Sequence, residues 1–275
     1  MAQALREVVR NHFREKLAAG RVVSKLSVRI ARSVEIVHIA KSCGFDALYI
    51  DMQHSSISLE TTSQLCIAAL GVGITPLVRV PGADHVSRVL DGGAMGVTVP
   101  DIESVAQAAA VVARCKFEPD GERSTGGGLP HLQYRSWPQT EMVEVMNEAT
   151  TVLVNIENLA ALEAIDDIAA VPGLDVLMIG TNDLCAALGV PGQHGHPLVR
   201  DAYRKVITAA RRHGKYVGVG GISDRKLIAE YVKLGARIVA TGTDVSLLME
   251  SGTERAKFVA GLNDASHPES ALSRS

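Results

Sequence analysis

Eight short apolar runs, each followed by a stretch of helical periodicity, constrain this chain more than any other feature. They are VVSKLSV (22–28), ALYID (47–51), TPLVRV (75–80), GVTVP (96–100), TVLVNIE (151–157), VLMIG (176–180), YVGVG (216–220) and RIVATG (237–242). Most carry apolar, often β-branched residues on successive positions, the pattern of strands covered on both faces of a parallel sheet. The segments between them read as helices. SLETTSQLCIAALG opens on a cap-like Ser58 and reaches Gly71, and SVAQAAAVVARC is alanine-rich and amphipathic. Eight alternations predict a closed (β/α)8 TIM barrel rather than a six-stranded open sheet, in one domain over residues 1–275. The first run is the least regular, because Lys25 interrupts it and Arg29 follows it.

The ends of the chain read differently. Leu5, Val8, Phe13 and Leu17 recur near helical spacing, so residues 1–20 are expected to form one amphipathic helix, while the polar residues 263–275 are expected to fray. No signal-peptide pattern opens the chain, and no apolar run of about 18 residues could span a membrane. The charges balance, 28 Lys+Arg against 30 Asp+Glu, which removes the basic footprint that nucleic-acid binding needs. At 47% hydrophobic residues, disorder is equally excluded. Cys43, Cys66, Cys115 and Cys185 form no C-x-x-C pair, so neither a zinc ribbon nor a disulfide framework is indicated; a reduced, cytoplasmic chain is the plain expectation.

Ionisable residues at the ends of apolar runs carry the functional signal. Asp51 ends ALYID with His54 three residues on, Arg79 lies within PLVRV, Glu157 ends LVNIE, and Asp183 follows MIGTN. In a barrel these strand ends converge on one mouth. Glu157 and Asp183, one strand-helix unit apart, suit Mg²⁺ or Mn²⁺ completed by water and substrate oxygens; capping of the following helices, or pairing with Arg, is the rival reading. Asp51 and His54 could form an acid–base dyad, although D-x-x-H also arises by chance. Arg79 needs an anion, either a substrate carboxylate or enolate, or a salt bridge to Asp51 or Glu157. The Gly-rich stretch FEPDGERSTGGGLPHLQYRSWP (117–138) lies in the long connection after the fourth run, and is expected near the mouth. His194 and His196, in the turn PGQHGHP, and the glycines 218–221 lack the partners a metal pair or a dinucleotide loop requires. No G-x-S-x-G or P-loop is present.

Taken together, GFDALYIDMQH (44–54), PLVRVP (76–81), GAMGVTVPDIES (93–104), PDGERSTGG (119–127), VNIEN (154–158), PGLDVLMIGTNDL (172–184) and KLGARIVATGTD (233–244) stand in the order of the HpcH/HpaI family. Over roughly residues 22–262 the chain resembles its class II, metal-dependent pyruvate aldolases, barrels of the phosphoenolpyruvate/pyruvate-binding type. The resemblance implies C–C bond cleavage or formation in a 4-hydroxy-2-oxoacid, through a pyruvate enolate, with an aldehyde as the second partner. It implies Glu157 and Asp183 as ligands of a divalent cation, Mg²⁺ or Mn²⁺ first and Co²⁺ or Zn²⁺ as further options. It implies His54, oriented by Asp51, as the acid–base group, and Arg79 as the group holding the pyruvyl unit. The backbone of Gly180 and Thr181 would receive the substrate carboxylate, Asn155 would stand beside it, and Arg123 would lie on a loop closing over the site. It also implies a homo-oligomer, a hexamer joined through the C-terminal helix. No strand-end lysine beyond the first run favours an imine mechanism. Four features depart from the family pattern: Asn155 replaces a Gln, Gln53 replaces the Glu of D-x-E-H, the tryptophan usual in the first strand is missing around Lys25–Val28, and Thr181-Asn182 stand where Gly-Pro-x-Asp-Leu has Pro-x. A related C–C lyase or decarboxylase acting on an acyl-CoA or another 2-oxoacid, and a non-catalytic 2-oxoacid-binding barrel, are the alternative readings.

Overall fold

The computed structural model describes residues 2–266. Eight parallel strands close into a barrel in sequential order: β1 (Val23–Val28), β2 (Ala47–Asp51), β3 (Thr75–Arg79), β4 (Gly96–Val99), β5 (Thr151–Ile156), β6 (Val176–Gly180), β7 (Tyr216–Gly220) and β8 (Ile238–Thr243). Every apolar run becomes a strand. β1 closes the ring by pairing with β2 on one side and β8 on the other.

Successive apolar residues work here because each strand packs both ways. Residues such as Leu48, Ile50, Val78, Val97, Val154 and Ile179 face the surrounding helices in the larger core cluster. Their alternates Ala47, Tyr49, Leu77, Leu153, Val176 and Met178 fill the lumen together with Phe13 and Leu17. Strand alternation explains the division, since neighbouring side chains point to opposite faces. Phe13 and Leu17 come from helix His12–Ala18, and the Phe13 N–H donates to Thr75 Oγ1 at 3.1 Å, where β3 begins. That helix therefore plugs the N-terminal end of the lumen and leaves the C-terminal end open.

The opening segment is two helices, Ala2–Val8 and His12–Ala18, rather than the single helix expected over residues 1–20. Asn11 makes the break. Its Oδ1 caps the second helix through Arg14 N, and its Nδ2 donates to Ala149 O and Thr151 Oγ1 beneath β5. At the other end, helix Asp244–Ser266 continues through the first residues of the expected tail, and 267–275 lie outside the described residues. Its first residue fastens the barrel seam: the Asp244 carboxylate accepts the main-chain N–H groups of Arg29, Ile30 and Ala31 at 2.8–3.1 Å. Among the described residues, no helix is long and apolar enough to cross a membrane.

The Gly-rich connection sits elsewhere than expected. Helix Val105–Cys115 carries the chain from the C-terminal end of β4 back to the N-terminal face before the glycines are reached. Arg123 is buried there. Its Nη2 donates to Asp91 Oδ1 at 2.6 Å, and its guanidinium lies 4.4 Å from the centre of the Phe117 ring. Nearby, His131 donates through Nε2 to Ala94 O at 3.0 Å, just before β4. The long connection begins at a strand's C-terminal end, but an intervening helix moves its Gly-rich part to the opposite side of the barrel. Arg123 thus stands outside the mouth of its own barrel.

Candidate active site

The open end of the lumen holds a cavity of about 130 Å³, lined by His54, Arg79, Asn155, Glu157, Gly180, Thr181 and Asp183 among others. A larger hollow of about 430 Å³ at the N-terminal end is lined by Val8, Leu70 and Met95 together with Glu7, Arg10 and His12, and it holds no pair of carboxylates. The smaller cavity is the chemically equipped one.

Asp51 organises one wall. It ends β2 in register with Arg79, the last residue of β3. Arg79 donates through Nε and Nη2 to the two carboxylate oxygens at 2.9 and 2.6 Å, and Arg29 Nε adds a third bond at 2.7 Å. Burial pushes the Asp51 carboxyl upward, but the Arg79 bonds and charge, helped by the His54 N–H and Arg29, outweigh it and bring the group to about 2. The salt-bridge reading of Arg79 is therefore realised, with Nη1 left unbonded among the described residues. The expected contact between Asp51 and the His54 ring is not. Asp51 Oδ1 accepts the backbone N–H groups of Gln53 and His54, both at 3.2 Å, which is what a D-x-x-H turn does locally, while the exposed imidazole stands at the cavity rim.

Glu157 forms the opposite wall. It follows β5 directly and is 7% exposed. Its Oε1 accepts the Asp101 N–H at 2.9 Å, and its Oε2 accepts from Asn155 Nδ2 at 3.1 Å. Asp101 presents that N–H from a left-handed backbone, φ 56°, unusual for a residue with a side chain. Burial raises the Glu157 carboxyl above its ordinary value, and the Asp101 and Asp183 charges raise it further against the pull of the Asp101 N–H and Arg79. Gly180 makes the close approach of β5 and β6 possible, since a Cβ there would lie 2.2 Å from Glu157 Oε2. Asp183 stands exposed in the first turn of helix Thr181–Ala187, lining the same cavity.

Helix capping does not account for these acids. Asn158, rather than Glu157, caps helix Leu159–Glu163 through Ala161 N, and helix Thr181–Ala187 has no side-chain cap. The Thr181 hydroxyl is committed to Tyr203 OH and Gly220 O, at 2.7 and 2.6 Å, leaving only its backbone near the cavity. His194 donates through Nε2 to Asn182 Oδ1, and His196 caps helix Pro197–Arg212, so neither belongs to a metal pair.

Two titratable residues of the cavity lining escaped the sequence reading, Lys25 and Tyr49. The signal was present: alternation through VSKLSV turns Val23, Lys25 and Ser27 toward the lumen, so the lysine that interrupted an apolar run marked an inward position.

The HpcH/HpaI aldolase/citrate lyase family model matches residues 30–251. The chain belongs to the HpcH/HpaI aldolase/citrate lyase family. It is 39% identical over 258 residues to the 4-hydroxy-4-methyl-2-oxoglutarate aldolase tasA of Hapsidospora irregularis, covering 92% of this chain and 96% of that protein. It is 34% identical over 249 residues to the hydroxypyruvate/pyruvate aldolase of Pseudomonas aeruginosa, covering 90% and 91%. The crystal structure of the HpcH/HpaI aldolase from Desulfitobacterium hafniense DCB-2 superposes with a TM-score of 0.87 at 30% identity, covering 91% of this chain and 97% of that one. This HpcH/HpaI chain is an aldolase, a carbon–carbon lyase.

Proposed function

We propose that the chain cleaves a 4-hydroxy-2-oxoacid to pyruvate and an aldehyde, or runs the reverse addition, at the mouth between Arg79 and Glu157. The convergence of Arg79, His54, Glu157 and Asp183 on one small cavity carries the reading. The aldolase relatives, named for 4-hydroxy-4-methyl-2-oxoglutarate and for hydroxypyruvate and pyruvate, support it.

Glu157 and Asp183 fit a divalent cation. Both are oxygen donors on one cavity, and the Glu157 carboxyl, raised first by burial and further by the Asp101 and Asp183 charges, is an anion that a cation would stabilise. Among the described residues no cluster of three His, Cys, Asp or Glu side chains is suited to a metal, so further ligands would be water and substrate oxygens, the habit of Mg²⁺ or Mn²⁺. Such an ion supplies Lewis-acid withdrawal of charge from the C2 keto oxygen. Arg79, its Nε and Nη2 fixed by Asp51, presents Nη1 to the oxygen on which charge develops. His54 accepts the C4 hydroxyl proton as the C3–C4 bond breaks; the bonding pair moves into the pyruvate enolate, and C4 leaves as a carbonyl. Asp51 serves by holding Arg79 and the main chain of His54.

A coupled assay for pyruvate release is expected to register cleavage that EDTA abolishes and Mg²⁺ or Mn²⁺ restores. His54→Ala is expected to slow cleavage by about 10²–10⁴-fold while exchange of the pyruvate C3 hydrogens with solvent persists. Loss of both in a folded variant would deny His54 the C4 proton. Gly180→Ala would displace Glu157 and is expected to weaken Mn²⁺ binding by about 10–100-fold in a calorimetric titration; unchanged affinity would separate Glu157 from the ion. The exposed Leu247, Leu248, Met249, Phe258 and Val259 on the C-terminal helix support an oligomer joined there, a hexamer on the family resemblance.

A further inference from the structure

Lys25 lies on the floor of the cavity and has no use in the chemistry above. It is 3% exposed, and its ammonium lies 3.2 Å from the centre of the Tyr49 ring. Among the described residues that ammonium has neither a hydrogen bond nor a carboxylate partner, although Lys25 lines the same cavity as Arg79, Asn155 and Glu157. A buried cation without an anion is costly, and a π face offsets only part of that cost. Burial and the nearby Arg79 push the Lys25 ammonium well below its usual range, with Asp51 pulling it partly back. Asp51 cannot serve as its partner, because both of its oxygens are taken by Arg79 and Arg29. The β8 neighbour of Lys25 in register is the small Ala240, which leaves the side chain room to rise toward the mouth.

We propose that Lys25 is a substrate-binding residue whose ammonium takes, from the cavity floor, one oxygen of the 2-oxoacid carboxylate that the Gly180 and Thr181 backbone would also receive, sandwiched between that anion and the Tyr49 ring. This rests on the 2-oxoacid reading above and assigns the substrate's negative end to a cation no carboxylate of the protein already neutralises. It leaves Arg79, whose charge Asp51 shares, for the keto oxygen.

Oxalate, a planar dianion shaped like the pyruvate enolate, is the probe, titrated calorimetrically into full-length protein with Mg²⁺ present. Wild type is expected to bind it; failure to bind would sink the 2-oxoacid reading and the Lys25 assignment with it. Binding by wild type and a loss of about 10–100-fold in Lys25→Met is the expected result. The melting temperature of the variant should stay at or above that of wild type, because an unpaired buried charge has been removed. In Lys25→Ala, added ethylammonium should restore part of the affinity, which a purely structural lysine would not allow. Equal oxalate affinity in wild type and Lys25→Met would overturn the assignment. So would a pyruvyl adduct on Lys25 trapped by borohydride in the presence of EDTA, since the amine would then be a nucleophile rather than an ionic partner.

Discussion

Glu157→Gln is expected to abolish cleavage, by about 10³-fold or more, while making the metal-free protein harder to unfold. The two effects share one cause. Burial and the charges of Asp101 and Asp183 raise the Glu157 carboxyl, so its ionised form is disfavoured in the fold. The sign follows from linkage. A carboxyl raised by folding stabilises the fold at low pH, where it is protonated, and that stabilisation is lost as pH rises through its folded value. The amide never ionises, so the variant's melting temperature should exceed that of wild type at neutral pH, and the gap should close in acid. Added Mg²⁺ or Mn²⁺ should reverse the order, because only wild type gains by binding. Differential scanning fluorimetry with and without EDTA reads all of this. A variant that melts lower than wild type without metal would show that Glu157 is a structural hub and not a strained ligand.

Asp51→Asn is expected to carry the largest stability cost, about 3–5 kcal/mol, because it breaks a buried ion pair from one side. Asp51 side-chain exposure is 1%, and Arg79 would lose its carboxylate while keeping the repulsion of Lys25. The Asn amide also points donors at the guanidinium groups that now donate to both Asp51 oxygens. Here the linkage has the opposite sign. Asp51 is lowered from an ordinary 3.8 to about 2, so its stabilisation is complete above the ordinary value and fades as pH falls through that window. Urea unfolding at neutral pH and near pH 3 should find the difference between wild type and variant narrowing in acid. A pH-independent difference would assign the loss to packing and not to charge. Activity should fall with stability, since Asp51 aims Arg79 and fixes the turn that bears His54.

Much of the barrel was legible because parallel strands buried on both faces leave uninterrupted apolar runs, and helices between them leave caps such as Ser58. The mouth was legible for the same geometric reason: a charged residue ending an apolar strand, as Asp51 and Arg79 do, must face the open end of the lumen. What escaped the sequence was set by contacts between distant segments. Asn11 breaks the opening helix by reaching Ala149 and Thr151, more than a hundred residues away. Glycines after Pro119 suggested a lid, but helix Val105–Cys115 had already turned the chain to the other face. A D-x-x-H spacing fixes a local main-chain turn, and it leaves the ring's partner unspecified. Lys25 was visible as an irregularity in β1, and only two-residue alternation, applied across that irregularity, gives it a direction.

Because Asp244 grips the amides of residues 29–31, and Arg29 in turn grips Asp51, the base of the last helix and the anion beneath the mouth are linked through two consecutive carboxylate contacts. Leverage applied far out on that helix, by whatever covers its apolar side, therefore has a short mechanical route to the guanidinium that faces the substrate.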